Sequence, residues 1–501
     1  MKKLLIIVLL LPLFFMMNVP YSTAAGGTIE RIDGANRFEV AVNISKKGWS
    51  TTGNTVVLAN ANAFADALSA APLAYYKNAP ILLTQKDQLT AITKQEMIRL
   101  SPSEVILVGG EGSISDQVIS EIKSLGIHNV RRIAGSDRFE VSAAIAAELP
   151  ASSKIVIADG TKFPDALAIA PYAARNGYPI LLTLPNSLPS TIQNAVKARN
   201  AQSSIVVGGL ASVSSQVASQ LPAPQRIGGS DRYEVAANII RQLNMKTDKV
   251  FLATGLSFAD ALTGSVLAAK QNAPILLTHS NYLPEATKKI IIEKSIINFT
   301  VLGGLASVPA NVVNQTALSL LGLTIVVDAG HGGSDTGAVG NGLKEEDITL
   351  DVAKRLQSKL SAQGAKVIMT RTSDTYPTLT ERVEMANSIG ADVFVSIHIN
   401  SSTSPSASGT ETYWNRTYAA AESKELATYI QRELIDELGT KDRGVKEANF
   451  YVIKNSKMAS VLTELAFISN SNDAKLLKTS TFREKAAQAI FQGISAYWKN
   501  Q

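Results

Sequence analysis

Cysteine is absent from all 501 residues. That excludes disulfides, lipid attachment at a cysteine and any thiolate metal site, so a metal in this chain must be held by His, Asp and Glu. Histidine is scarce, with four residues, which makes the position of each one informative. Aromatic residues make up only 6% of the chain, and no basic stretch is studded with them, a composition that argues against a nucleic-acid partner. After the first residues, no apolar run approaches the roughly 20 residues of a membrane-spanning helix.

What is present points outward from the cell. Met1, Lys2 and Lys3 precede an apolar run from Leu4 to Met17, followed by the small residues Ser22, Ala24 and Ala25. This three-part layout is that of a secretory signal over residues 1–25, and Pro12 together with the shortness of the run argues against a retained anchor. We therefore expect a secreted protein with no membrane contact after cleavage. The hydrophobic content of 46% and the length call for several globular domains. A net charge of +6 favours contact with polyanions, including anionic wall polymers.

The chain repeats itself three times. Arg31-Ile32-Asp33-Gly34-Ala35-Asn36-Arg37-Phe38-Glu39-Val40 returns at Arg132–Val141 and again at Arg226–Val235. Phe64-Ala65-Asp66-Ala67-Leu68 returns at Phe163–Leu167 and Phe258–Leu262, and the pair Gly109-Gly110 at Gly208-Gly209 and Gly303-Gly304. Within each unit, short β-branched runs such as Thr55–Leu58, Pro80–Leu83 and Glu104–Val108 alternate with segments of helical period such as Asp66–Tyr76 and Gln117–Leu125. Continuous apolar strands of this kind predict a mostly parallel sheet covered on both faces. The boundaries are set at residues 26–124, 125–221 and 222–320. The recurring Arg37, Arg138 and Arg232, with Asp66, Asp165 and Asp260, read as structural: an acid near each helix start, and arginines paired internally. His128 and His279 have no counterparts in the other repeats and read as surface residues.

After Leu321 the repeat stops, and residues 321–501 form a different α/β domain. Strands are expected at Thr324–Val327, Lys366–Met369, Asp392–Ile397 and Ser460–Leu465, and helices at Thr349–Gln363, Leu379–Ser388, Ala419–Leu438 and Phe482–Tyr497. Two of the four histidines, His331 and His398, each follow a buried-type strand, which points both at the carboxyl rim of the sheet. Glycines around His331 let the loop curl closely around an ion. An acidic cluster, Glu345-Glu346-Asp347, opens the helix between them. Two imidazoles and one carboxylate make a three-ligand zinc site with its fourth position open, the form of a catalytic metal. Glu464 stands in an otherwise apolar run, where a carboxylate is costly without a partner or a job. Taken singly, each residue has an ordinary explanation: a hydrogen-bonded core histidine, a charge at a helix N-terminus, a buried ion pair. Their conjunction on strand ends of one domain carries the reading.

The segments Asp328–Gly333, Lys344–Leu350, Ser396–Asn400 and Glu464–Asn470, in this order, closely resemble the zinc-dependent N-acetylmuramoyl-L-alanine amidases of type 3, over essentially all of Leu323–Gln501. The resemblance implies Zn2+ held by His331, Glu345 and His398, with Glu464 catalytic. Glu346 stands where that family usually has lysine, which leaves Glu345 and Glu346 both open as the ligand; register with Asp347 and Leu350 favours Glu345. Ala459 stands where a proline is common. The repeats resemble the type 2 cell-wall-binding repeat, and the whole layout is similar to the vegetative autolysins of bacilli. The expected fold class is α/β: three tandem small α/β repeat domains, then an α/β zinc amidase domain with a central, mostly parallel sheet. The implied activity is hydrolysis of the amide between N-acetylmuramic acid and the L-alanine of the stem peptide, with peptidoglycan as partner. The alternatives are a zinc peptidoglycan carboxypeptidase or endopeptidase, and an inactive wall-anchored surface protein.

Overall fold

The computed structural model describes residues 21–22, 27–50 and 55–500. The signal expected over residues 1–25 lies outside the described residues, apart from a two-residue strand at Tyr21–Ser22. The chain divides into two compact units, Met1–Thr316 and Ala317–Gln501.

The first unit contains three parallel sheets of similar plan. In the first, Ile81–Thr84, Thr55–Asn60, Glu104–Val108 and Val130–Ile133 lie side by side in that order. In the second the order is Pro224–Ile227, Ser203–Val207, Lys154–Asp159 and Ile180–Thr183. In the third, Thr28–Ile32, Phe299–Leu302, Val250–Thr254 and Ile275–Thr278 are neighbours, and Tyr21–Ser22 adds antiparallel to Thr28–Ile32. The strand that opens each sequence repeat therefore completes the sheet of the repeat before it, and the opening strand of the first repeat completes the sheet of the third. The ring closes, and sheets pass across the repeat boundaries proposed from the sequence.

The recurring motifs are the parts of this closure. Asn36, Asp137 and Asp231 cap their helices, each accepting from the two amides two and three residues on. Glu39, Glu140 and Glu234 reach back to the amides of Ala35, Ser136 and Ser230, satisfying donors that a helix start leaves free. Arg31, Arg132 and Arg226 donate to the carbonyls of Gly303, Gly109 and Gly208 in the neighbouring repeat's sheet. Those three glycines have φ of 98°, 114° and 108°. A Cβ on them would meet an oxygen of Asp260, Asp66 or Asp165 at 2.3 to 2.5 Å, so each glycine is required by its backbone angle and by the acid packed against it. Burial, partly offset by a seryl hydrogen bond, raises the pKa of Asp165 and Asp260.

Phe64, Phe163 and Phe258 meet one another with centroids 5.6 to 6.3 Å apart. Over each ring lies a guanidinium of a different repeat: Arg37 on Phe258, Arg138 on Phe64 and Arg232 on Phe163, at 5.9 to 6.0 Å. The same arginines donate to the carbonyls of Ala61, Gly160 and Gly255. Their structural role stands. Two details differ from the sequence reading. Asp165 and Asp260 lie in the first turn of their helices, Pro164–Arg175 and Ala259–Lys270, whereas the helix after Asp66 starts only at Ala70. His128 is exposed, but His279 is half-buried, stacked on Tyr282 at 4.5 Å.

The second unit is a six-stranded sheet in the order Lys366–Met369, Thr324–Ala329, Val393–Asn400, Ala459–Phe467, Thr410–Trp414 and Asp442–Glu447. All neighbours are parallel except Thr410–Trp414, which runs antiparallel to Ala459–Phe467. Helices Glu345–Ala362, Ala420–Leu438 and Ser480–Lys499 pack one face through a large apolar cluster that includes Leu356, Ile430 and Ile490. Leu379–Ser388 and Tyr451–Asn455 cover the other through Val383, Ala386, Val452 and Ile453. The expected strands and helices are all present. The strands Thr410–Trp414 and Asp442–Glu447 and the helices Tyr451–Asn455 and Ser471–Leu477 are additional. Among the described residues no helix is long and apolar enough to cross a membrane.

The phenylalanine triad predicts a measurable coupling among the repeats. Phe258→Ala removes a ring that touches both other phenylalanines and supports Arg37, and should cost the repeat unit roughly 3 kcal/mol. Urea unfolding of the full chain checks this, the transition of the first unit moving to lower urea.

Candidate functional site

The Thr324–Ala329 strand ends in a loop that reverses sharply. His331, Gly332 and Gly333 have φ of 62°, 125° and 60°, and a positive φ at the non-glycine His331 needs holding from outside. Two buried arginines do the holding. Arg371 donates to the carbonyls of Ala329, Gly330 and Glu346, and Arg382 to those of Ala329, His331 and Pro377. Beneath them Asp328, 1% exposed, pairs with Arg382 at 2.7 Å and accepts from Thr370 and Ser396 at 2.7 and 2.6 Å. Burial raises its pKa, but the charge of Arg382 and these hydrogen bonds outweigh that and hold the carboxyl below its ordinary value.

His331 is thereby aimed at Glu345, the first residue of its helix. Its Nδ1 bonds Asp335 at 2.8 Å, which leaves Nε2 at 3.2 Å from Glu345 Oε1. From the neighbouring strand, His398 Nδ1 lies 2.9 Å from the same oxygen. The amides of Ile399 and Ala338 donate to Glu345 at 2.9 and 2.8 Å. Burial would raise the pKa of Glu345; hydrogen bonds and charge from His331 and His398 prevail and hold it far below. Burial likewise lowers His331, and Glu345 and Asp335 overcome it, so its pKa is raised. Donor atoms of His331, Glu345 and His398 lie within 4.8 Å of one another. Space for the group is kept by glycine: a Cβ on Gly330 would stand 2.5 Å from the His398 ring, and one on Gly337 2.6 Å from Glu345 Oε2.

Glu464 stands opposite His398 in the parallel ladder. Its Oε2 is enclosed and has no hydrogen-bond partner among the described residues. Burial, and then the charges of Glu345 and Glu411, push its pKa well above the ordinary carboxylate range. The donor set of two imidazoles and a carboxylate, beside a second, unpartnered carboxylate, suits a divalent cation, which would supply the positive charge these acids lack. Glu346 turns elsewhere: it is 3% exposed, its Oε1 meets Lys344 at 3.2 Å and its Oε2 has no partner among the described residues. All four residues singled out from the sequence are thus brought together, Glu345 rather than Glu346 facing the histidines. Asp335, Arg371, Arg382 and Asp328 were missed. Only Asp335, four residues after His331, carried a local signal.

A family model described as N-acetylmuramoyl-L-alanine amidase matches residues 325–496, and one described as cell wall binding domain 2 matches 31–119, 132–218 and 226–313. The N-acetylmuramoyl-L-alanine amidase LytC of Bacillus subtilis (strain 168) is 46% identical over 475 residues, 95% of each chain. The chain belongs to the wall-targeted N-acetylmuramoyl-L-alanine amidases. Among solved structures, Cwp6 from Clostridium difficile matches 93% of this amidase and 79% of its own chain, with 33% identity and a TM-score of 0.56. Cwp8 from the same organism matches 58% of this amidase and 51% of its own chain, with 29% identity and a TM-score of 0.53.

In this amidase the Asp328–Arg382 pair carries a stability prediction. Asp328→Ala strands a buried guanidinium and should cost about 3 to 5 kcal/mol. Because the carboxyl pKa is depressed, the contribution is complete above the unfolded pKa of about 4 and is lost as pH falls through the lower folded value. Denaturation of wild type and variant at neutral pH and in acid should therefore show the gap closing in acid.

Proposed function

We propose that the enzyme is a zinc amidase of peptidoglycan, cleaving the bond between N-acetylmuramic acid and the L-alanine of the stem peptide, exported by the segment 1–25 and held at the wall by residues 26–124, 125–221 and 222–320. The domain 321–501 carries the chemistry. The observation that carries the reading is the convergence of His331, Glu345 and His398 around one point with the unpartnered Oε2 of Glu464 beside it.

His331, Glu345 and His398 would hold Zn2+, which would supply Lewis acidity for amide hydrolysis. Asp335 fixes the His331 tautomer by accepting from Nδ1, a support that orients a ligand and raises its basicity. Glu464 takes a proton from the attacking water at Oε2 and delivers it to the departing nitrogen. Its enclosure suits both tasks, since a carboxyl with a raised pKa holds a proton long enough to pass it on. Anionic wall polymers are the expected partner of the repeats.

Glu464→Gln keeps shape but cannot accept the proton. We expect normal zinc content, an unfolding midpoint within a few degrees of wild type, and release of stem peptides from purified sacculi reduced by about a hundredfold to ten-thousandfold. Activity within about threefold of wild type would remove Glu464 from the mechanism. Zinc retention should also fall as pH drops from about 7.5 to about 5.5, because a raised pKa makes His331 bind a proton in place of metal nearer neutrality. Elemental analysis after dialysis at each pH reads this out.

A further inference from the structure

The two sides of the site differ in chemistry. On one side of His331 and His398 lies a pocket of about 140 Å³ lined by Tyr376, Leu379, Phe450 and Tyr451, with Arg382 committed to Asp328. On the other side, directly across the antiparallel ladder from Glu464, stands Glu411, 2% exposed. Its Oε1 accepts from Asn400 and Tyr413 at 2.7 and 2.8 Å. Its Oε2 is shared by Arg443 Nε, at 2.7 Å, and Lys446 Nζ. Two cations on one carboxylate leave a positive charge unbalanced.

Arg443 is built to use it. Its Nε is fixed by Glu411 and its guanidinium lies over the Phe467 ring at 4.8 Å, while neither terminal nitrogen bonds another residue among the described ones. Arg443 is partly open to solvent, with 28% of its side chain exposed, and Lys446 with 39%. An oriented guanidinium with two free donors in a plane matches a carboxylate bidentately.

The geometry points to Arg443, seconded by Lys446, as the subsite that reads a free carboxylate on the stem peptide, at the acidic residue following L-alanine. This rests on the amidase reading above. Arg443 lies on the edge strand Asp442–Glu447, two ladder steps or about 10 Å from the Glu464 strand. Two residues of extended peptide leading away from the scissile amide span about 7 Å, and the side chain of Arg443 covers the remainder. The aromatic side is left for the uncharged sugar. The orientation of the substrate across the sheet follows: sugar toward Tyr376 and Leu379, peptide toward Glu411 and Arg443, with Phe450 between them against Tyr413 at 5.0 Å.

The test compares two soluble muropeptides that differ only in whether that carboxyl is free or amidated, with full-length zinc-loaded enzyme. Wild type should prefer the free acid by about tenfold or more in kcat/KM, mainly through KM, and R443Q should bring the two substrates within about threefold. R443K, which keeps the charge and the Glu411 pair but not the fork, should lose most of the preference with an unchanged unfolding midpoint, separating recognition from folding. A folded R443Q that keeps the wild-type preference, or a wild type with none, overturns the assignment. Competition by a soluble glycerol phosphate polymer that R443Q abolishes would assign the fork to phosphate and also overturn it. Failure of wild type to cleave either muropeptide at the muramoyl–alanine bond would instead refute the amidase reading itself.

Discussion

The strand end that carries His331 depends on one buried ion pair. Asp328 and Arg382, 1% and 2% exposed, are too deep to be separated cheaply, and Thr370 and Ser396 donate to the two oxygens of the carboxylate. With its position set from below, Arg382 uses its other donors on the carbonyls of Ala329, His331 and Pro377. Arg371 closes the same turn from the side of the Glu345–Ala362 helix. A strand end that would otherwise expose unpaired carbonyls becomes a fixed platform, and it is this platform that keeps His331 at a positive φ. A buried pair is weak support for stability as such; here its measurable consequence is the aim of an imidazole.

The first unit solves a different constraint by exchange. Each opening strand lies in the sheet of the preceding repeat, so a single repeat would leave one sheet edge unpaired and one strand unplaced. Three units return the last edge to the first strand, through the pairing of Phe299–Leu302 with Thr28–Ile32. The Arg31, Arg132 and Arg226 contacts to positive-φ glycines, and the arginine-on-phenylalanine stacks, then work in the same direction around the ring. Closure also gathers three similar repeats into one compact unit, an arrangement suited to multivalent contact.

What could be read from the sequence follows the range of the interactions. The central strands Thr324–Ala329, Val393–Asn400 and Ala459–Phe467 are rich in buried apolar residues because both faces are covered, and such runs are conspicuous. Asp442–Glu447 is an edge strand with four charged residues and a glycine, and Thr410–Trp414 alternates threonine with larger residues; neither stands out from a loop. His331 and His398 were legible because each ends a buried-type strand, and Glu464 because it interrupts an apolar run, whereas Glu345 was separated from Glu346 only by register with the resembled family. Asp328 and Arg382 are 54 residues apart, and nothing in either neighbourhood announces the other. Strand exchange among the repeats was invisible for another reason: a periodic sequence has the same period whichever sheet its strands join.

Glu464 lies between the charges of Glu345 and Glu411 at this end of the sheet, and the three are partnered unequally. Glu345 is held ionised by two imidazoles and two amides, so it is poised to bind charge and poorly placed to exchange a proton. Glu411 is equally committed, to Arg443, Lys446, Tyr413 and Asn400. Glu464, between them, has an Oε2 without a partner among the described residues, and the negative charges on both sides add to the cost of its own ionisation. A group that must accept a proton and then surrender it needs a pKa closer to neutrality than a salt-bridged acid has. By satisfying the flanking acids and leaving the middle one without a partner among the described residues, the sheet makes Glu464 Oε2 the oxygen best suited to the proton transfer proposed for this site.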